Sequence, residues 1–193
     1  MLVLESAAAL LALAYVLLAI KEDRKCWYAA ILSSTLYIAV FYDARLYLEA
    51  GLQIFFIVLA FLGLKKWQSR IAKQESKIHY ISLKKHLTLI ALTTSISICF
   101  GFIIAQNTNA DLPYLDALIT CFSVMTTYLV AEKIIENWLY WIVIDVLSIF
   151  VNFHKGLYLF AILFFIYTIV AVIGYFNWKK EMNPFNIKNQ SVG

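Results

Sequence analysis

Seven runs of apolar residues, each about 17–21 positions long, divide this chain, and short polar segments separate them. A helix rises 1.5 Å per residue, so such a run covers roughly the 30 Å of a bilayer's hydrocarbon. The pattern predicts seven transmembrane helices, at Leu2–Ile20, Cys26–Tyr42, Leu46–Leu64, Leu87–Ala105, Leu112–Ala131, Asn137–Phe153 and Gly156–Phe176. Both prolines, Pro113 and Pro184, fall at ends and break none of them. Leu2–Ile20 has no basic segment before it and no small-residue cleavage site after it, so it reads as a retained span and not a signal peptide.

Composition agrees with the pattern. Of 193 residues, 63% are hydrophobic and 15% charged, and mean hydropathy is +0.78. A water-soluble domain carries about 25% charged residues, so the chain is read as an all-α integral membrane protein. Its net charge of +4 belongs to topology and not to nucleic acid. The segments Lys21–Lys25, Lys65–Lys85, the turn at Lys133 and the tail from Lys179 hold 14 of the 16 lysines and arginines, while Arg45 and Lys155 stand on the other side. The positive-inside rule makes the basic side cytoplasmic, with the N-terminus outside and the C-terminus inside, as a multi-pass protein of a bacterial inner membrane. Cys26, Cys99 and Cys121 lack metal-ligand spacing, and their odd number argues against a disulfide framework. No metal or cofactor is expected.

An internal repeat gives the first functional pointer. Residues 27–67 align without a gap on 138–178 at an offset of 111, with thirteen identities. These include Trp27 with Trp138, Leu46-Tyr47-Leu48 with Leu157-Tyr158-Leu159, Gly63 with Gly174 and Trp67 with Trp178; upstream, Glu5 falls on Asp116. The expected organisation is a three-helix repeat in 1–67, a cytoplasmic loop and connecting helix in 68–111, a second three-helix repeat in 112–180 and a tail in 181–193. Both repeats enter from the same side, giving parallel 3+1+3 repeats as in SWEET-type transporters, with a solute site expected between them near mid-membrane. Glu5 and Asp116 suit the dipole at a helix N-terminus. Gly63 and Gly174 are expected to allow close packing or a C-cap, and Trp67 and Trp178 to anchor the interface.

The sixth run carries the chemistry. Trp138, Trp141, Asp145, Ser148 and Asn152 recur every three or four residues and share one helix face. An aspartate at the middle of a span costs about 2.5–3.5 kcal/mol, and no lysine or arginine within a run is there to pair with it. Asp145 is therefore protonated, hydrogen-bonded to neutral groups, or met by a cationic or hydroxylated ligand; an internal helix–helix bond is the structural alternative. The two indoles suit a flat heteroaromatic cation. Gln53 on the third run needs a hydrogen-bond partner, from a ligand or a neighbouring helix. Tyr167 on the seventh is a further candidate. Thr93, Thr94, Ser95 and Ser97 of the fourth read as helix-packing residues. An enzyme would need a nucleophile–base pair or a metal cluster, but His79, His86 and His154 stand in or beside loops without clustered ligands, and a purely structural membrane protein leaves the face around Asp145 unexplained.

The run Glu136-Asn137-Trp138-x-x-Trp141-x-x-x-Asp145-Val146, then Gly156-Leu157-Tyr158, Gly174 and Trp178, resembles the bacterial PnuC family of vitamin transporters. Glu5, Trp27, Leu46-Tyr47, Leu52-Gln53, Gly63 and Trp67 extend the resemblance to about residues 4–180. It implies a 3+1+3 fold, a homotrimer, and facilitated diffusion of unphosphorylated nicotinamide riboside, trapped by cytoplasmic phosphorylation and feeding NAD biosynthesis. It also implies that Trp138 and Trp141 hold the ring and Gln53 makes a polar contact. Family members that carry nicotinamide riboside often have Asn where this chain has Asp145, and Asn before the two glycines where it has Leu62 and Ile173. Thiamine, also a cationic ring, therefore stands as the alternative substrate.

Overall fold

The computed structural model describes residues 2–45, 47–72, 78–108 and 111–182. Leu46 of the repeat match, Lys73 and Lys77 of the basic loop, and the tail from residue 183 with Pro184 lie outside the described residues. Among the described residues seven helices follow one another: α1 (Leu2–Ile20), α2 (Lys25–Asp43), α3 (Tyr47–Ala72), α4 (Leu83–Asn107), α5 (Pro113–Ala131), α6 (Asn137–His154) and α7 (Tyr158–Glu181). The all-helical expectation holds.

By length and composition alone six of these seven, among the described residues, qualify as membrane spans. Seven spans are expected from the sequence, and the hydropathy of α2 by itself does not mark the seventh. Its apolar residues are diluted by Ser33, Ser34, Thr35 and the tyrosines Tyr28, Tyr37 and Tyr42, between Lys25 and Asp43. Part of that polarity is used internally: the buried Ser33 hydroxyl donates to the Ala8 carbonyl of α1 at 2.8 Å. Ser33→Ala should cost about 0.6–1 kcal/mol, read as a small fall in the unfolding midpoint of the detergent-purified protein.

Helix ends differ from the apolar runs where charge begins. The run ending at Leu64 continues as helix to Ala72, the fourth helix starts at Leu83, and the seventh reaches Glu181. Hydropathy marks the hydrocarbon, whereas a helix continues until its backbone is capped. Ser82 caps α4, its hydroxyl accepting from the Lys85 amide. The ends of α1, α5 and α6 close alike: Asp23 N–H donates to Leu18 O, Ile134 N–H to Leu129 O, and Leu157 N–H to Asn152 O. The residue before each donor (Glu22, Lys133 or Gly156) is left-handed, with φ of 53°, 59° and 73°. Only glycine takes that conformation freely; Glu22 and Lys133 each adopt it at a cost of about 1–2 kcal/mol.

The chain divides into two compact units. The first holds α1, α2, α3, the segment Val130–Lys133 and the end of α7 from Lys180; the second holds α4, the rest of α5, α6 and α7 as far as Lys179. Helices α1 and α5 start at residues 2 and 113 and end at residues 20 and 131, and α3 and α7 start at 47 and 158.

Candidate solute-binding site

Helix α6 turns its polar face inward. Leu139, Val143, Val146, Phe150 and Phe153 are exposed, while Trp138, Ile144, Asp145, Ser148 and Val151 are buried and Trp141 and Asn152 half-buried. A water-soluble helix would reverse this arrangement. Facing inward is how a membrane helix accommodates polar side chains.

The first residue of that face is locked into its unit. Trp138 is 2% exposed and meets Trp178 edge-on, with ring centres 5.4 Å apart at 89°. Gly174 of α7 lies against its six-membered ring so closely that a Cβ there would stand 2.6 Å from Cε3. The first unit repeats this construction: Trp27 and Trp67 meet at 5.5 Å and 86°, and a Cβ on Gly63 would stand 2.4 Å from the Trp27 ring. The glycines therefore serve close packing within helices that continue beyond them, not C-caps. Trp67 and Trp178, expected as interface anchors, are core residues at 1% and 0% exposure. An indole beside lysines is equally consistent with both roles until its packing partner is known.

Beyond Trp138 the face is less committed. Asp145 is 4% exposed, and among the described residues no hydrogen bond or ion pair reaches its carboxyl group. Ser148 is buried and donates to the Ile144 carbonyl at 2.9 Å, and Asn152 donates to the Ser148 carbonyl at 2.8 Å. Both satisfy donors on their own helix and keep oxygen lone pairs to offer. Tyr167 is half-buried, edge-on to Phe164 at 6.2 Å. Thus Trp138, Trp141, Asp145, Ser148, Asn152 and Tyr167 belong to the second unit, and the half-buried Gln53 on α3 to the first.

Sequence reasoning missed the ionic groups at the helix turns. In the first unit, Glu132 is held by Lys66 and by Arg70, whose Nη2 lies 2.7 Å from Oε2 and whose Nη1 donates to the Glu132 carbonyl at 2.6 Å. Lys133 Nζ donates to Glu22 Oε2 at 2.6 Å and stands 4.8 Å from the centre of the Trp67 ring, and Trp67 Nε1 donates to the Val130 carbonyl at 3.3 Å. In the second unit, Glu136 Oε1 accepts from the Ile81 amide and pairs with His86 Nε2, both at 3.1 Å, and His86 Nδ1 lies 2.8 Å from the Tyr140 hydroxyl. Asp116, in the first turn of α5, pairs with Lys155 at 2.7 Å. Partners 39 to 111 residues apart leave no local pattern to read. The Lys133 side chain is 3% exposed. Lys133→Ala should therefore destabilise the protein by about 3 kcal/mol, measured by thermal unfolding, with exchange of the two charges in Glu22→Lys/Lys133→Glu recovering part of the loss.

This helical architecture is shared with a solved structure. The vitamin B3 transporter PnuC superposes with a TM-score of 0.73 at 24% identity, over 93% of this chain and 81% of that one. The nicotinamide riboside transporter PnuC of Escherichia coli (strain K12) is 25% identical over 187 residues, covering 83% of this chain and 78% of its own, and that of Shigella flexneri matches equally. The Neisseria mucosa protein of the same name is 26% identical over 167 residues, 78% of this chain and 62% of its own. Fold and sequence together define a helical membrane transporter and not an enzyme. Residues 2–180 match the Nicotinamide mononucleotide transporter family, and the chain belongs to it.

Proposed function

We propose that this transporter takes up nicotinamide riboside by facilitated diffusion across a bacterial inner membrane, with cytoplasmic phosphorylation trapping the product. The relatives named nicotinamide riboside transporters support the substrate. The observation that carries it in this chain is the inward face of α6, where a buried carboxyl with no partner among the described residues stands one turn from the half-buried indole of Trp141. That pairing suits a flat cationic ring. Ser148, Asn152 and Tyr167 are assigned to the solute's polar groups, and Trp138 to holding the face in place beside the ring; Gln53 stays a candidate on the family resemblance alone.

The proposed architecture is 3+1+3, with parallel repeats in 1–67 and 112–180, the connection in 68–111 and the tail in 181–193. The common helix starts and the two Trp–Trp–Gly packings, all 111 residues apart, support it. An outer N-terminus and a cytoplasmic C-terminus are proposed from the basic turns, with α2 taken as a crossing because it is the counterpart of α6 in the proposed duplication. The cluster of Glu22, Lys66, Arg70, Glu132 and Lys133 supports grouping three of those turns at one end. A homotrimer embedded in lipid is proposed on the family resemblance.

Thiamine is the second reading, favoured by Asp145, since a carboxylate receives either cationic ring. Titrating purified protein with nicotinamide riboside, thiamine and riboflavin separates them. Nicotinamide riboside is expected to bind tightest; tighter thiamine binding reverses the two readings, and binding of riboflavin alone overturns both.

A further inference from the structure

The turn into α6 is held from outside that helix. Glu136 stands at the N-cap but makes no capping bond. Its Oε1 accepts instead from the Ile81 amide and from His86 Nε2, both at 3.1 Å. A carboxylate only accepts, so Nε2 carries a proton, and in the neutral ring Nδ1 takes that of the Tyr140 hydroxyl at 2.8 Å. Tyr140 lies one turn along α6, its ring centre 5.8 Å from that of the imidazole. The side chains of Glu136 and His86 are largely buried, which strengthens their bond. The segment that supplies the Ile81 amide is itself seated. Ile81 packs against the cluster of Met125, Leu129 and Ile134, and the Ile135 amide donates to His79 O at 3.1 Å.

At about 3.6 residues per turn, Glu136 and Tyr140 stand on one side of α6, and Trp141, Asp145, Ser148 and Asn152 cluster about 130° around the axis from them. The start of α4 thus grips the back of the helix over its first turn, while the front carries the solute face. Trp138, packed on Gly174 and Trp178, is the other tether of this turn. A rotation of about 10° carries a side-chain tip, roughly 6 Å from the axis, through about 1 Å. A binding constellation has to be held within about 0.5 Å. Rotation of α6 is therefore the movement that this clasp withholds.

We propose that Glu136 and His86 are positioning residues for solute binding: joined to each other, to Ile81 and to Tyr140, they fix the rotation of α6 and so aim Trp141 and Asp145 inward. The proposal rests on the solute reading above and assigns how its face is held. Neither residue is given a contact with the solute. The clasp works with His86 neutral or charged, because in the charged ring Nδ1–H donates to the Tyr140 oxygen. Its removal leaves the Trp138 packing in place, so binding should weaken and not vanish. A merely structural contact behaves otherwise: its loss lowers the share of molecules that are folded, not the affinity of those that are.

The test titrates the purified full-length protein with nicotinamide riboside, well below the unfolding midpoint, and reads affinity and the number of sites per chain separately. Glu136→Ala and His86→Phe should each weaken affinity about tenfold, with the number of sites unchanged. Glu136→Gln, which keeps an oxygen for both donors, should stay within about twofold of the wild type. Lys133→Ala, destabilising in the first unit, should leave affinity as it is. Wild-type affinity in both clasp variants, whether or not the number of sites falls, overturns the positioning role. So does Glu136→Gln as weak as Glu136→Ala, or Lys133→Ala as weak as either. If Glu136→Ala yields no folded protein, His86→Phe, which keeps a ring in place, decides. If the wild type binds thiamine and not the riboside, the riboside reading falls separately, and thiamine affinities decide the clasp by the same criteria; binding of neither overturns both.

Discussion

Trp141→Ala should weaken nicotinamide riboside binding on the order of thirtyfold, and uptake from dilute solution with it, while the purified protein stays folded. The two tryptophans of the α6 face are not equivalent in their surroundings. Trp138 is buried beneath Gly174 and edged by Trp178, whereas Trp141 is half-buried. Truncating a buried indole costs about 3–5 kcal/mol through lost transfer energy and a cavity. A half-exposed one opens no closed cavity and costs a fraction of that. As a platform for a cationic ring, the same indole is worth about 2 kcal/mol or more when desolvated, on the order of thirtyfold in affinity. Uptake in proteoliposomes and an unfolding curve on the same preparation check both halves. Uptake at the wild-type rate would remove Trp141 from the site, and loss of folding would make it a core residue like Trp138.

Gly174→Leu should leave little folded protein. A Cβ at this position would sit 2.6 Å from Cε3, 2.7 Å from Cδ2 and 2.7 Å from Cζ3 of Trp138, a distance no carbon pair tolerates, so the buried ring or the helix has to shift. Overpacking a close-packed interior costs about 1–3 kcal/mol for small additions, and leucine adds three carbons beyond the offending one. The milder Gly174→Ala isolates the clash. In an open helix interior, Gly→Ala gains about 1 kcal/mol, as Gly51→Ala should, since nothing lies within 4 Å of a Cβ there. Gly174→Ala and Gly63→Ala should instead destabilise. Unfolding midpoints of the three alanine variants check this, and a stabilised Gly174→Ala would show that the indole has room to move.

The helices were legible because bilayer thickness imposes a length and lipid imposes apolarity; α1 runs from Leu2 to Ile20 as its apolar run does. The polar face of α6 was legible for a related reason, since Asp145 inside an apolar run has to turn inward. Where polarity is moderate, as in α2, hydropathy stops being decisive: Ser33 uses its hydroxyl on Ala8 O, a bond between residues 25 apart. The paired Trp67 and Trp178 were visible as a pattern, but their role was not. Facing Trp27 and Trp138 edge-on is a tertiary fact, and an indole near lysines looks the same in sequence whether it touches headgroups or another ring. The carboxylates at the turns were the least legible part, for Glu132 finds Lys66 and Arg70 across 66 and 62 residues.

Glu22 and Lys133 are themselves 111 residues apart, both left-handed, and bonded to each other. Under the proposed duplication each is therefore touching its own counterpart. Two identical copies meeting at such a point would place the same charge against itself, carboxylate on carboxylate or ammonium on ammonium. A single chain holding both copies escapes that restriction, because each copy mutates alone. Opposite charges at this position would then mark the moment when two interchangeable halves became a fixed left and right, after which neither could stand in for the other.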